Sequence, residues 1–83
     1  MTEEQRDLLM LAAARYARTG EGRRIRERAN MQQQEMARRI GITTSGLWRW
    51  ENGRRRPQGD AAVRWAQQLT KLDLVSAQAE SAA

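Results

Sequence analysis

Residues 33–52 contain two short amphipathic segments joined by a short turn that starts with a glycine, and this pattern constrains the fold more than any other feature of the chain. In the first segment, Met36, Ala37 and Ile40 have the i, i+1, i+4 spacing of one helical face. Gly41 follows at once and can adopt the positive φ that a tight turn requires. The pattern predicts a helix-turn-helix unit, with an ordinary helical hairpin as the alternative interpretation.

The second helix of this unit, over about residues 44–52, has two different faces, and Thr43 is a suitable N-cap for it. At roughly 100° per residue, Leu47 and Trp50 point inward together, whereas Trp48 points to nearly the opposite side. We therefore expect Trp50 to be buried in the core and Trp48 to be exposed at the surface. The outward stripe consists of Thr44, Ser45, Trp48, Arg49 and Asn52.

The rest of the chain predicts three more helices. There is no Phe, one Tyr and one Pro, and β-branched residues are few, so strands are disfavoured. The predicted fold is an all-α five-helix bundle, and a break between its first two helices near Gly20 is left open. These three helices are expected from the N-cap Thr2 to about Arg18 and over about residues 21–29 and 59–71. The first helix of the helix-turn-helix unit is expected over about residues 32–40.

The last of these helices has an inner stripe formed by Ala62, Val63, Ala66 and Leu69. Trp65 and Leu72 lie off this stripe, at i and i+7. We expect Trp65 to pack inside the protein or against a partner.

Positive charge is concentrated in the middle of the chain. The net charge is +5, yet residues 15–56 alone carry twelve Arg against four Glu. Arginine offers a flat bidentate fork that suits phosphate groups and guanine edges. A GC-rich genome is the alternative explanation for the abundance of Arg, although it does not explain the central position of the charge.

Several function classes are excluded by what the sequence lacks. There is no Cys and no His, which removes disulfides, thiol chemistry, the commonest general base and the commonest metal ligand. No glycine-rich phosphate motif is present and the carboxylates are scattered, so we expect no catalytic, metal or cofactor site and no enzyme. The apolar run over residues 8–14 is too short to cross a membrane, and the cytoplasm is the expected location.

Residues 23–57, RRIRERANMQQQEMARRIGITTSGLWRWENGRRRP, resemble the Cro and phage-repressor helix-turn-helix family, often called XRE-like. The resemblance covers about residues 20–72. It is carried by Ile25-Arg26, by residues 34–37 and 40–43, by Leu47 to Gly53 and by the basic loop that ends at Pro57. The helix before residue 20 is an addition to the minimal family pattern, and Trp48 stands where the family usually has a small polar residue.

The resemblance implies a recognition helix in the major groove of double-stranded DNA. The residues expected to read bases are Thr44, Ser45, Trp48 and Arg49. Those expected to contact phosphate are Gln33, Thr43, Asn52, Arg54, Arg55 and Arg56.

Some of these side chains have a structural alternative. Thr44 and Ser45 can serve only the helix cap, Arg49 can pair with Glu35 or stay solvated, and Trp48 can lie on the protein or in a dimer contact. A solvated face is the expected position of Arg23, Arg24 and Arg26.

The expected organisation is a packing or dimerisation helix at residues 1–19, a DNA-binding domain at 20–72 and a flexible tail at 73–83. The expected function is that of a small bacterial or phage transcriptional regulator, either a repressor or a Cro-like switch. A homodimer on a pseudo-palindromic operator is expected, with helix 1 and the Trp65/Leu72 edge as candidate interfaces, and no small-molecule effector is expected. The alternative function is a protein-interaction module, such as an antitoxin or adaptor with the same fold.

Overall fold

The computed structural model describes residues 1–82, and side-chain surroundings are described for residues 1–79. Over these residues the chain is all-α, with five helices and no strand, which confirms the predicted fold class. No helix within this described part is both long enough and apolar enough to span a membrane. The helices are α1 (Glu3–Thr19), α2 (Glu21–Arg28), α3 (Gln33–Ile40), α4 (Thr44–Glu51) and α5 (Gly59–Ala82).

The first two helices are separate. A capping box starts α1: the Gln5 N–H donates to Thr2 Oγ1 at 3.1 Å, and the Thr2 N–H donates to Gln5 Oε1 at 2.8 Å. Gly20 then adopts a φ of 76°, which ends α1 in the left-handed region before α2 starts. The break that the sequence left open is therefore a real helix boundary.

The core is built around Trp65 of α5, which is fully buried. Its ring lies 5.4 Å from that of Trp50 on α4 and 6.3 Å from that of Tyr16 on α1, measured between centroids. A Cβ on Gly22 of α2 would lie only 2.8 Å from the Trp65 ring, so α2 approaches this ring where a side chain would not fit. Three helices thus close around one indole.

Burial of Trp65 decides between the two positions predicted for it. The side chain packs inside the chain, so it is not available to a partner, and the predicted Trp65/Leu72 interface is wrong in that respect. The reason is that α1 covers the side of α5 on which Trp65 lies. The predicted inner stripe of α5 is confirmed, because Ala62, Val63, Ala66 and Leu69 are all buried.

Helix α5 is longer than predicted. It was expected to end near Lys71 but continues to Ala82, since residues 72–82 contain neither Gly nor Pro and are mostly good helix formers. Asp73 forms an ion pair with Arg28 of α2, with 3.3 Å between Oδ1 and Nη2. Flexibility of residues 73–83 stays a prediction, and residue 83 lies outside the described residues.

Candidate nucleic-acid interface

The turn between α3 and α4 forms as the sequence pattern predicts. Gly41 has a φ of 79°, and the N–H groups of Gly41 and Ile42 both donate to the carbonyl oxygen of Ala37, at 2.9 and 3.0 Å. Thr43 Oγ1 then accepts the N–H of Gly46 at 2.9 Å and caps α4. These bonds fix the direction in which α4 leaves the turn.

Helix α4 is anchored on one face and open on the other. Leu47 is fully buried and Trp50 is 6% exposed, whereas Trp48 is 47% exposed. The two predicted faces are therefore those that the fold buries and displays. A depression of about 370 Å³ on the open side is lined by Gln33 together with Thr44, Ser45, Trp48 and Arg49.

The structure thus brings the four predicted base-reading residues together on one exposed surface, here called the α4 outer face (Thr44, Ser45, Trp48 and Arg49). The suggested pairing of Arg49 with Glu35 does not occur. Glu35 binds Arg39 instead, one turn along α3, at 2.8 Å. Arg49 is exposed and belongs to no ion pair among the described side chains.

The N-terminal end of α3 lies beside the α4 outer face. Its N-cap, Gln32, makes no side-chain capping hydrogen bond, so the N–H groups of the first turn are not capped by that side chain. Gln32, Gln33, Trp48 and Asn52 line a common depression of about 510 Å³. Asn52 Nδ2 donates to the carbonyl oxygen of Trp48 at 2.8 Å, which keeps the amide close to the end of α4.

A buried ionic network connects α2, α3 and α4. Arg26 donates twice to Glu51, from Nε to Oε2 at 2.7 Å and from Nη2 to Oε1 at 3.1 Å. Its Nη1 also donates to the carbonyl oxygen of Met31 at 2.7 Å. Gln33 Nε2 donates to Glu51 Oε1 at 2.8 Å. The Glu51 side chain is completely buried, so the free-energy cost of removing its charge from water is offset only by these neighbours.

This network corrects one prediction. Arg26 was expected on a solvated face with Arg23 and Arg24, but it is 8% exposed and ion-paired, while the other two are exposed as expected. The reason is that Glu51 lies on the buried side of α4 and requires a cation. By holding Gln33 and the end of α4 through one carboxylate, the network fixes the α3 N-terminus relative to the α4 outer face.

The basic loop begins where α4 ends. Gly53 has a φ of 66°, and the N–H of Arg54 donates to the carbonyl oxygen of Arg49 at 2.8 Å, so the loop turns back along the helix. Arg54, Arg55 and Arg56 are exposed. Arg55 shares a depression of about 450 Å³ with Thr43 and Arg49, and Gln33 is not among the residues that line it.

Of the residues predicted to contact phosphate, Gln33, Thr43, Asn52 and Arg55 each line a depression together with a residue of the α4 outer face. Arg56 lines a different depression, with Arg18 of α1, and Arg54 is exposed in the loop. A family model described as helix-turn-helix matches residues 23–74, which is more than half of the chain. The chain belongs to the XRE-like helix-turn-helix family of the Cro and phage-repressor type. Comparison with curated proteins and with solved structures gave no significant match.

The family is a DNA-binding one and is not typically enzymatic. Among the described side chains, no group of three or more acidic, His or Cys residues could hold a metal ion. The family match begins at Arg23, so α1 lies outside it. The helix-turn-helix itself, α3 and α4 with their turn, lies wholly within it.

Sequence reasoning missed Arg26 and Glu51 as a pair, although a signal was present. Glu51 follows Leu47 and Trp50 at i+4 and i+1, which places it at the margin of the buried face of α4. A carboxylate at the edge of a buried stripe requires a cation, and Arg26 beside the apolar Ile25 was a candidate.

Proposed function

We propose that this helix-turn-helix protein is a sequence-specific transcriptional regulator that inserts α4 into the major groove of double-stranded DNA. The observation that carries the proposal is the division of α4 into a buried anchor and an open outer face. A helix with exposed side chains along one side and a firmly packed opposite side has the size and shape that the major groove accepts.

The outer face offers distinct chemistry at each position. Arg49 carries a guanidinium that can donate to O6 and N7 of guanine, and no carboxylate among the described residues competes for it. Trp48 presents an apolar surface suited to a thymine methyl group. Thr44 and Ser45 are short, so the start of α4 can approach the base edges closely.

Phosphate groups on either side of the groove are the proposed ligands of the surrounding polar groups. Gln33 donates one Nε2 hydrogen to Glu51, which leaves its second hydrogen for a phosphate oxygen. The first-turn N–H groups of α3 lie beside it, where a helix terminus favours an anion. Thr43, Asn52 and the arginines at 54–56 complete the proposed set.

A homodimer is part of the proposal because one domain reads too few base pairs to select a site. Two domains related by a twofold axis would place their α4 helices about 34 Å apart on one face of the duplex. Leu8 and Leu11 of α1 are 59% and 65% exposed and form the proposed contact. The proposed location is the bacterial cytoplasm, where the DNA lies, and repression or a Cro-like switch is the proposed role.

The experiment is in vitro selection of bound duplexes followed by titration of the selected and random sequences at several salt concentrations. We expect a consensus with twofold symmetry, and an affinity that falls steeply with salt as counterions are released. Equal affinity for selected and random duplexes would rule out a sequence-specific regulator.

The second candidate function is a protein-interaction module, such as an antitoxin or an adaptor. It is favoured by the large apolar side chains that α1 and α5 expose, which include Leu8, Leu11, Leu74 and Val75. It predicts that loss of these side chains abolishes activity while loss of the outer-face charge does not.

A further inference from the structure

A second basic surface lies away from the α4 outer face, between α1 and the loop that follows α4. It is a groove of about 510 Å³, here called the α1 groove. Its floor is apolar and consists of Ala14, Ala17 and Pro57, and its rim carries Arg18, Arg55 and Arg56.

The positive charge of the α1 groove has no partner within the described chain. Arg18, Arg55 and Arg56 are exposed, and none of them takes part in an ion pair or a side-chain hydrogen bond among the described residues. No Asp or Glu lines the groove. Clustered charge of one sign in a concave site attracts a ligand of the opposite sign.

The α1 groove is continuous with the surface proposed to hold DNA. Arg55 lines both this groove and the depression that contains Thr43 and Arg49 beside α4. The loop starts at Gly53, and a Cβ added to this glycine would lie 4.0 Å from the carbonyl oxygen of Ala17 on α1. A duplex placed on α4 would therefore meet further positive charge at the C-terminal turns of α1.

The chemistry of the α1 groove fits a sugar-phosphate backbone. Such a backbone alternates anionic phosphates with apolar deoxyribose rings, and the groove pairs a guanidinium rim with a floor of Ala and Pro. Arginine binds phosphate through two parallel hydrogen bonds. An acidic protein segment would also satisfy the charge, but the shared Arg55 favours the nucleic acid.

We infer that the α1 groove binds the backbone of the same duplex that α4 reads, beyond the bases that α4 contacts. Helix α1, which lies outside the matched family region, thereby becomes part of the DNA-binding surface. The inference rests on the proposed function, because it requires that the chain binds duplex DNA.

The test compares Arg18→Gln with Arg15→Gln in the full chain. Both arginines are exposed on α1, but Arg15 is outside the groove, where it lies 3.9 Å from Glu21 and 5.4 Å from the centroid of the Tyr16 ring. Affinity for a duplex recovered by selection is measured over a range of salt concentrations, and Arg18→Lys serves as the charge-conserving variant.

Arg18→Gln should weaken binding several-fold and lower the slope of log affinity against log salt by about 1, with the selected consensus unchanged. Arg15→Gln should match the wild type, and Arg18→Lys should recover the slope. Because Arg18 is exposed, thermal unfolding should confirm that all variants fold alike.

Equal affinities and equal slopes for the Arg18→Gln and Arg15→Gln proteins would overturn the inference while leaving the proposed function intact. The same result accompanied by tighter binding of a poly-glutamate peptide to the wild type than to Arg18→Gln would assign the groove to an acidic protein segment. Failure of the wild type to select any duplex would instead contradict the proposed function itself.

Discussion

Trp48 and Trp50 stand two residues apart on α4 and have opposite surroundings. Trp50 is 6% exposed and its ring contacts that of Trp65, whereas Trp48 is 47% exposed and borders the α3 N-terminus. The same residue type therefore serves as an anchor on one face and as a displayed surface on the other. The difference teaches that helical phase, rather than residue type, decides which side chains of α4 hold the fold and which are free for a ligand.

The largest expected effect tests this contrast directly. Trp50→Ala should lower the free energy of unfolding by about 4 kcal/mol, because it removes a large buried side chain and leaves a cavity beside Trp65. Trp48→Ala should change the same quantity by less than about 0.5 kcal/mol. Urea denaturation followed by circular dichroism measures both, and similar losses for the two variants would refute the division of α4 into two faces.

Next in size is the loss of the buried carboxylate of Glu51. Glu51→Leu should cost about 3 kcal/mol of stability, because the guanidinium of Arg26 then stays buried without its counter-charge. The double variant Arg26→Met/Glu51→Leu should recover part of that loss, since it removes both charges. A double-mutant cycle measures the unfolding free energies of Arg26→Met, Glu51→Leu and the double variant by denaturation. Strictly additive losses of stability would contradict a direct ion pair.

A smaller effect is expected on the outer face, and on binding rather than on stability. Arg49→Ala should cost about 1–3 kcal/mol in binding a selected duplex and should relax the preference at one base position. Its free energy of unfolding should change by less than about 0.5 kcal/mol. Lys71→Gln on α5 is the control for removal of one exposed positive charge. An Arg49→Ala protein with the wild-type consensus would show that Arg49 does not read a base.

The smallest expected effect is at Thr43, the N-cap of α4. Thr43→Ala should lower stability by about 1 kcal/mol, because the N–H of Gly46 loses its acceptor. Thr43→Ser keeps that acceptor and should retain most of the stability. Thermal unfolding of the two variants without DNA measures the contribution of the cap to stability, independently of any role of the hydroxyl in phosphate binding. A Thr43→Ser protein as unstable as Thr43→Ala would show that the cap is not the cause.

Much of the site was predictable because its order is local. The turn at Gly41, the cap at Thr43 and the phase of Leu47 and Trp50 follow from torsional preferences and from the 3.6-residue period. The clustering of the outer-face residues follows from the same period. The end of α5 was predicted too early, although no Gly or Pro follows Lys71 to mark a helix stop.

The sequence by itself determined the all-α class, the helix-turn-helix and the central positive charge, because these depend on composition and on neighbours within a few residues. Only the tertiary structure decided that Arg26 and Glu51 pair and that Trp65 lies beneath α1 rather than at an interface. It also decided that Arg18 of α1 shares a groove with Arg55 and Arg56. These contacts join residues far apart in the chain, so they depend on how whole helices pack against one another.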